Sequence, residues 1–251
     1  MAEKFHQAPA RRAPPASPPN SAIYIGNSFF YYNNGVNHHV TALLAEAAPA
    51  HMWRSTLVAI SGAGLDWHDV ESYFRPGAIG AFSFDPQNNV VFNTPDRLFD
   101  VAVMMDGSQG PIHPALRRGF FDHCQKHCDT ARRHGARPIL AMSWAYADRP
   151  EMTEELAAAY AQAGAENDCA VIPIGSGFAR ALTERPDLVL HAPDRRHPSL
   201  EGTYLMAAMI YAALFGASPL ELTYAAGLDE ATARFLREVA WAANGLADEP
   251  I

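Results

Sequence analysis

Beyond residue 20 the chain alternates between short unbroken apolar runs and longer stretches in which apolar positions recur every three or four residues. The runs Ala22–Ile25, Ser55–Ile60, Asp100–Met105, Pro138–Met142 and Ala170–Ile174 predict strands, each closing on small or polar residues. The stretches at about Val36–Ala48, Pro114–His134, Met152–Asn167, Leu200–Phe215 and Asp229–Ala243 predict helices. Strands that are apolar throughout, rather than at every second position, belong in a parallel sheet covered by helices on both faces. The predicted fold is therefore α/β, a three-layer α/β/α domain over 21–251 with a doubly wound, flavodoxin-like, five-stranded parallel sheet.

Residues 1–20 read differently. They are rich in Pro, Ala and Arg (Ala-Pro-Ala-Arg-Arg-Ala-Pro-Pro-Ala-Ser-Pro-Pro), with little to bury and prolines that stop helices, and are expected to be a solvated tail. The remaining composition is that of a globular protein, 49% hydrophobic and 18% charged over 251 residues. Lys+Arg 19 against Asp+Glu 27 leaves a formal charge of −8, and no basic face collects, which argues against a nucleic-acid partner. Three cysteines, Cys124, Cys128 and Cys169, are too few for a disulfide framework and suit a reducing compartment. No run approaches the roughly 18 apolar residues of a membrane span, and the N-terminus has no apolar signal core, so a cytoplasmic protein is expected with no membrane partner.

In doubly wound sheets ligands bind beyond the carboxyl ends of the strands. The residues there are Gly26-Asn27-Ser28, Ser61-Gly62-Ala63-Gly64, Asp106-Gly107-Ser108-Gln109, Ser143-Trp144 and Gly175-Ser176-Gly177, all placed as loops. Ser28 would leave the first strand through a turn and reach the start of a helix, where free N–H groups favour developing negative charge. Read alone, Gly-Asn-Ser is more simply a plain turn.

A serine hydroxyl needs a base, and the base an orienting carboxylate. Of the eleven histidines, His38, His39, His51 and His134 read as solvated or capping groups in turns and at helix ends. His197 stands in Asp194-Arg195-Arg196-His197-Pro198-Ser199, immediately before a strong helix that Gly216 would stop. At this spacing Asp194 can reach Nδ1–H while Nε2 faces a substrate.

Together these segments resemble the SGNH (GDSL-like) hydrolase superfamily. Ile25-Gly26-Asn27-Ser28-Phe29 is similar to its first block, Ser61-Gly62-Ala63-Gly64-Leu65 to its second, and Asp194 through His197 to its last. Glu201-Gly202-Thr203-Tyr204-Leu205-Met206-Ala207-Ala208 is similar to the helix that follows in one bacterial branch. The resemblance implies a serine esterase without cofactor or metal, acting on a small ester with a short acyl or acetyl group. Ser28 would be the nucleophile, His197 the base and Asp194 its orienter. The oxyanion would be held by the Ser28 N–H, a glycine N–H (Gly64, with Gly62 as alternative) and a third-block asparagine. That third block departs from the pattern: Gly107-Ser108-Gln109-Gly110 puts Gln109 at the asparagine position, with Ser108 as another possible donor. The departure leaves open a silent binding module on the same fold, and the same residues would also serve an acyltransferase.

Three other features carry less. His123, Cys124, His127 and Cys128 have helical metal-ligand spacing but lack a second half-site and read as structural. Trp67-His68 and Trp144-Ala145-Tyr146 either line a cleft or fill the core, and Phe29-Phe30-Tyr31-Tyr32-Asn33-Asn34 could form a wall behind Ser28. Neither a dinucleotide fingerprint nor a phosphate loop is present.

Overall fold

The computed structural model describes residues 17–79, 82–92 and 97–245. Most of the expected tail, residues 1–16, and the last six positions of the expected domain lie outside the described residues. Pro19 and Asn20 are already tied in: the Pro19 carbonyl accepts from His51 Nε2 at 3.0 Å, and the Asn20 N–H donates to Asp100 at 2.6 Å.

In chain order the elements are β1 (Ser21–Gly26), α1 (Ser28–Tyr31), α2 (Val36–Ala47), β2 (Arg54–Ala59), a 3₁₀ turn (Leu65–Trp67), α3 (Val70–Tyr73), β3 (Phe82–Phe84), β4 (Val90–Phe92) and β5 (Val101–Met104). They continue with α4 (Arg117–Arg133), β6 (Arg137–Ala141), α5 (Met152–Glu166), β7 (Ala170–Ile172), α6 (Ile174–Glu184), α7 (Leu200–Phe215) and α8 (Glu230–Ala243). Five strands form one parallel sheet in the order β2-β1-β5-β6-β7, as the apolar runs predict.

Because successive strand side chains point to opposite faces, the sheet feeds two cores. Ala22, Tyr24, Val101, Val103 and Ile139 pack with α1, α2, α6, α7 and α8, whereas Ile23, Ile25, Ala102, Met104 and Leu140 pack with α4 and α5. Helix α7 is apolar around its whole circumference because α2 and α8 cover what the sheet does not. Its ends follow the expected signals: Ser199 accepts from the Gly202 N–H, and Gly216 closes it in a left-handed conformation. Among the described residues no helix is long and apolar enough to cross a membrane.

Two features differ from the sequence expectation. The fifth strand stops at Ile172, and Pro173 and Ile174 open α6, so Gly175-Ser176-Gly177 are a helical turn and not a loop beyond a strand. Those glycines permit close packing: a Cβ on Gly175 would lie 2.4 Å from the Ser143 carbonyl, and one on Gly177 would lie 2.4 Å from Met209 Sδ. The second difference is the antiparallel pair β3–β4, inserted between α3 and β5. Its turn is built on Asp85, whose carboxylate accepts the N–H groups of Gln87 and Asn89.

The start of α7 also sets the loop before it. Ala192 N–H donates to the His197 carbonyl and Ser199 N–H to the Leu190 carbonyl, and Gly202 backs onto that same Leu190 carbonyl, where a Cβ would stand only 2.3 Å away. Gly202→Ala is therefore expected to push the helix off the loop and destabilise the fold by about 1–3 kcal/mol. That corresponds to a fall in Tm of several degrees in a thermal melt, and an unchanged Tm would contradict this packing.

Candidate active site

The site lies where the sheet reverses its direction of growth. From β1 the chain moves outward to β2 and then returns to place β5 on the other side of β1, so the ends of β1 and β5 flank a crevice. Ser28 follows β1, the Ser61–Leu65 segment follows β2, and Asp106–Gly110 follows β5.

Asn27 organises the first of these. As the N-cap of α1 its Oδ1 accepts the Phe29 N–H at 3.1 Å, while its Nδ2 donates to the Ala63 carbonyl at 2.9 Å. One side chain thus starts the Ser28 helix and ties it to the glycine-bearing segment. The Ser28 N–H makes no hydrogen bond among the described residues, as suits the open first turn of a helix.

Ser28 Oγ lies 2.8 Å from His197 Nε2, and the other ring nitrogen, Nδ1, is hydrogen-bonded to Asp194 Oδ2. Asp194 Oδ1 also accepts the N–H groups of Arg196 (2.9 Å) and His197 (3.0 Å). Burial alone would raise the Asp194 carboxyl, but the His197 ring and the two N–H groups outweigh it and bring it down to about 2. An ionised carboxylate only accepts, so Nδ1 carries the ring proton. Nε2 is then the ring nitrogen that faces the Ser28 hydroxyl. Ser28 is 5% exposed, whereas the His197 and Asp194 side chains are 24% and 45% exposed.

The loop carrying His197 is clamped from β6. Trp144, fully buried and stacked between Phe29 and Phe178 at 4.5 Å from each, donates its Nε1–H to the Arg196 carbonyl at 3.0 Å. The Ala147 N–H donates to the Arg195 carbonyl, and Arg196 pairs with Asp148 while lying over the Tyr146 ring. Arg195 takes a left-handed φ of 64° within this turn. Trp144 is thus a core residue that also positions the site, whereas Trp67, 63% exposed, is not core.

The Gly62–Leu65 segment is gripped on several sides. Asp106 Oδ2 accepts the Leu65 N–H at 2.8 Å, His127 Nε2 donates to the Leu65 carbonyl at 2.8 Å, and Asn27 holds the Ala63 carbonyl. Neither Asp106 nor His127 has this role in the sequence reading: one stands just beyond a strand with no part assigned, the other in a His/Cys helix that reads as structural. The Gly64 N–H makes no hydrogen bond among the described residues, and Gly64 rests against Asp106; Gly62, with φ 73°, has nothing within reach of a Cβ. In the third segment Ser108 gives its hydroxyl proton to the Trp144 carbonyl at 2.6 Å, so it is not free to donate elsewhere. The half-buried Gln109 side chain makes no hydrogen bond among the described residues.

The other singled-out residues fall outside the site. His39 is not a solvated turn residue but a buried one within α2, bonded to Tyr224 and the Asn33 carbonyl. His68 is buried and bonded to the Gly26 carbonyl and Tyr73. Cys128 lies 3.8 Å from Cys169, and no group of three or more potential metal ligands forms among the described residues.

No protein-family model and no curated protein sequence matches the chain. Solved structures do. A DUF4886 family protein from Bacteroides uniformis superposes with a TM-score of 0.63 at 17% identity, covering 92% of this chain and 96% of its own. A candidate SGNH hydrolase from Slackia heliotrinireducens gives 0.56 at 20% identity over 77% of this chain and 97% of its own. An acetylxylan esterase from Geobacillus stearothermophilus gives 0.56 at 15% identity over 82% and 99%. The fold is that of the SGNH hydrolases.

Burial lifts the Asp106 carboxyl to about 6 against the opposing pull of the Leu65 and Gly107 N–H groups. The fold therefore favours its protonated form: the stability that the group adds is complete below pH 4 and is lost as pH rises through about 6. Asp106→Asn retains an acceptor for Leu65 and is expected to stabilise the protein at pH 8 by up to about 3 kcal/mol, with little change at pH 4. Melts at both pH values test this, and an equal effect at each would contradict it.

Proposed function

We propose that the protein is a serine ester hydrolase that cleaves a small ester carrying a short acyl or acetyl group through an acyl-Ser28 intermediate. The observation that carries the proposal is the 2.8 Å approach of His197 Nε2 to Ser28 Oγ, with Asp194 on the opposite ring nitrogen. Fold likeness supports it in kind. The acetylxylan esterase shares the architecture, and its catalytic variants replace a histidine and a serine.

In this mechanism His197 takes the Ser28 proton as Oγ attacks the ester carbonyl, and the imidazolium that forms is held by Asp194. Negative charge collects on the carbonyl oxygen, for which the free N–H groups of Ser28 and Gly64 are the backbone donors and the Gln109 amide the side-chain donor. Gly64 is preferred to Gly62 because its N–H shares a peptide unit with the carbonyl that Asn27, next to Ser28, holds in place. Collapse of the intermediate breaks the ester C–O bond, and His197 returns the proton to the departing alcohol oxygen. A water then gives a proton to His197 and attacks the acyl carbon, releasing the carboxylic acid and restoring Ser28.

Turnover of a chromogenic acetyl ester tests the proposal. Ser28→Ala and His197→Ala are each expected to lower kcat by about 10⁴-fold or more. Asp194→Ala should lower it by about 10- to 100-fold, because water can replace part of what a half-exposed carboxylate supplies. Labelling of Ser28 by a serine-directed phosphonate should be lost with Ser28→Ala. Absence of both turnover and labelling in the unsubstituted protein would overturn the proposal in favour of a binding module on a hydrolase fold.

A further inference from the structure

The two hydrogen bonds of His197 leave one freedom of its ring unrestrained. An imidazole makes its hydrogen bonds through its two ring nitrogens and in its own plane, so one bond at each nitrogen does little to resist tilting of the ring about the line that joins them. Asp194 is half exposed, so water competes for its carboxylate and its hold on the ring is weak. A flat group against one face of the ring would remove this freedom.

Tyr32 is placed to do this. Its ring lies 4.2 Å from that of His197, centroid to centroid, at an interplanar angle of 7°. Phe29 meets the same imidazole edge-on at 5.6 Å and 82°. Tyr32 is tied to the serine as well, since its backbone N–H donates to the Ser28 carbonyl at 3.2 Å at the end of α1. The next residue, Asn33, donates from Nδ2 to the Pro198 carbonyl at 3.0 Å and to Thr203 at 2.8 Å, holding the two segments in register. The Tyr32 hydroxyl makes no hydrogen bond among the described residues, so the ring face is the part of this side chain that the fold uses.

We propose that Tyr32 is a positioning residue that fixes the tilt of the His197 imidazole toward Ser28 through its flat ring contact. The proposal rests on the reading of Ser28 as nucleophile and deepens it. An aromatic face also attracts a cation, so the same contact favours the imidazolium that forms as the serine proton moves. Its contribution therefore falls on the chemical step more than on substrate capture.

The test compares Tyr32→Leu, which removes the flat face, with Tyr32→Phe, which keeps it without the hydroxyl. Tyr32→Leu is expected to lower kcat by about tenfold, equivalent to about 1.4 kcal/mol of barrier, with KM within about twofold of the unsubstituted enzyme. Tyr32→Phe should retain kcat. Tyr32→Met, flexible and apolar but without a π face, replaces Tyr32→Leu should the latter fail to fold. Proton NMR supplies a readout independent of turnover. The His197 ring protons, assigned by their disappearance in His197→Ala, should be shifted upfield by the Tyr32 ring current, remain so in Tyr32→Phe and move downfield in Tyr32→Leu.

Unchanged kcat in Tyr32→Leu or Tyr32→Met, with Ser28 still labelled by phosphonate, would overturn this proposal alone. A raised KM at constant kcat would overturn it too, by making Tyr32 a substrate contact. Absence of labelling in the unsubstituted protein would remove the nucleophile reading and this proposal with it.

Discussion

The arrangement around Ser28 depends on how one indole is packed. Trp144 leaves the end of β6 into the core, where its ring is enclosed by Phe29 from the Ser28 helix and Phe178 from α6. Its backbone carbonyl accepts Ser108 from the loop after β5, and its Nε1–H reaches the carbonyl of Arg196, next to His197. A side chain this large contributes through area removed from water, and the hydrogen bond settles its one polar atom. The consequence is that three segments distant in the chain share one rigid reference. A loop with an exposed Asp194 and a left-handed Arg195 would be poorly determined without it.

Polar groups buried beneath the site do comparable work on its other side. Leu65 has its N–H taken by Asp106 and its carbonyl by His127, while the Ala63 carbonyl is taken by Asn27. Buried backbone groups must be paired, so each contact both satisfies a peptide and sets its direction. Burial pushes the Asp106 carboxyl upward and lowers the His127 ring to about 4, which keeps the latter a neutral donor. Among the described residues the Gly64 N–H and the Ser28 N–H make no hydrogen bond, although most polar groups around them are engaged. In the proposed reaction, fixed donors of this kind would stabilise developing charge better than water, because they need no reorganisation.

The layered fold was legible because it follows from local pattern. Unbroken apolar strands such as Val101–Met104 imply cover on both faces, and the Ser199 and Gly216 signals bracket α7 for reasons confined to a few residues. The contact of Ser28 with His197, and of His197 with Asp194, was expected from the family resemblance of the two blocks, since neither block taken alone distinguished a site from a turn. Less visible was anything decided by surroundings. The run Ile172-Pro173-Ile174 reads as strand, yet the chain turns into α6 because the Gly175 backbone can approach Ser143 and Gly177 can approach Met209. The β3–β4 pair has only three residues per strand, too short for periodicity to register.

By itself the sequence determined which residue types stand at the strand ends and which helices must be buried, since periodicity and capping act over a few neighbours. Tertiary structure alone decided what Asp106, His127, Trp144 and Tyr32 do, because a carboxylate, an imidazole or an aromatic ring takes its role from partners that only the folded chain supplies. Asp106 is one of several polar residues just past a strand until the Leu65 N–H arrives from 41 positions away, and Tyr32 is one aromatic among several until the fold lays it on the ring of His197.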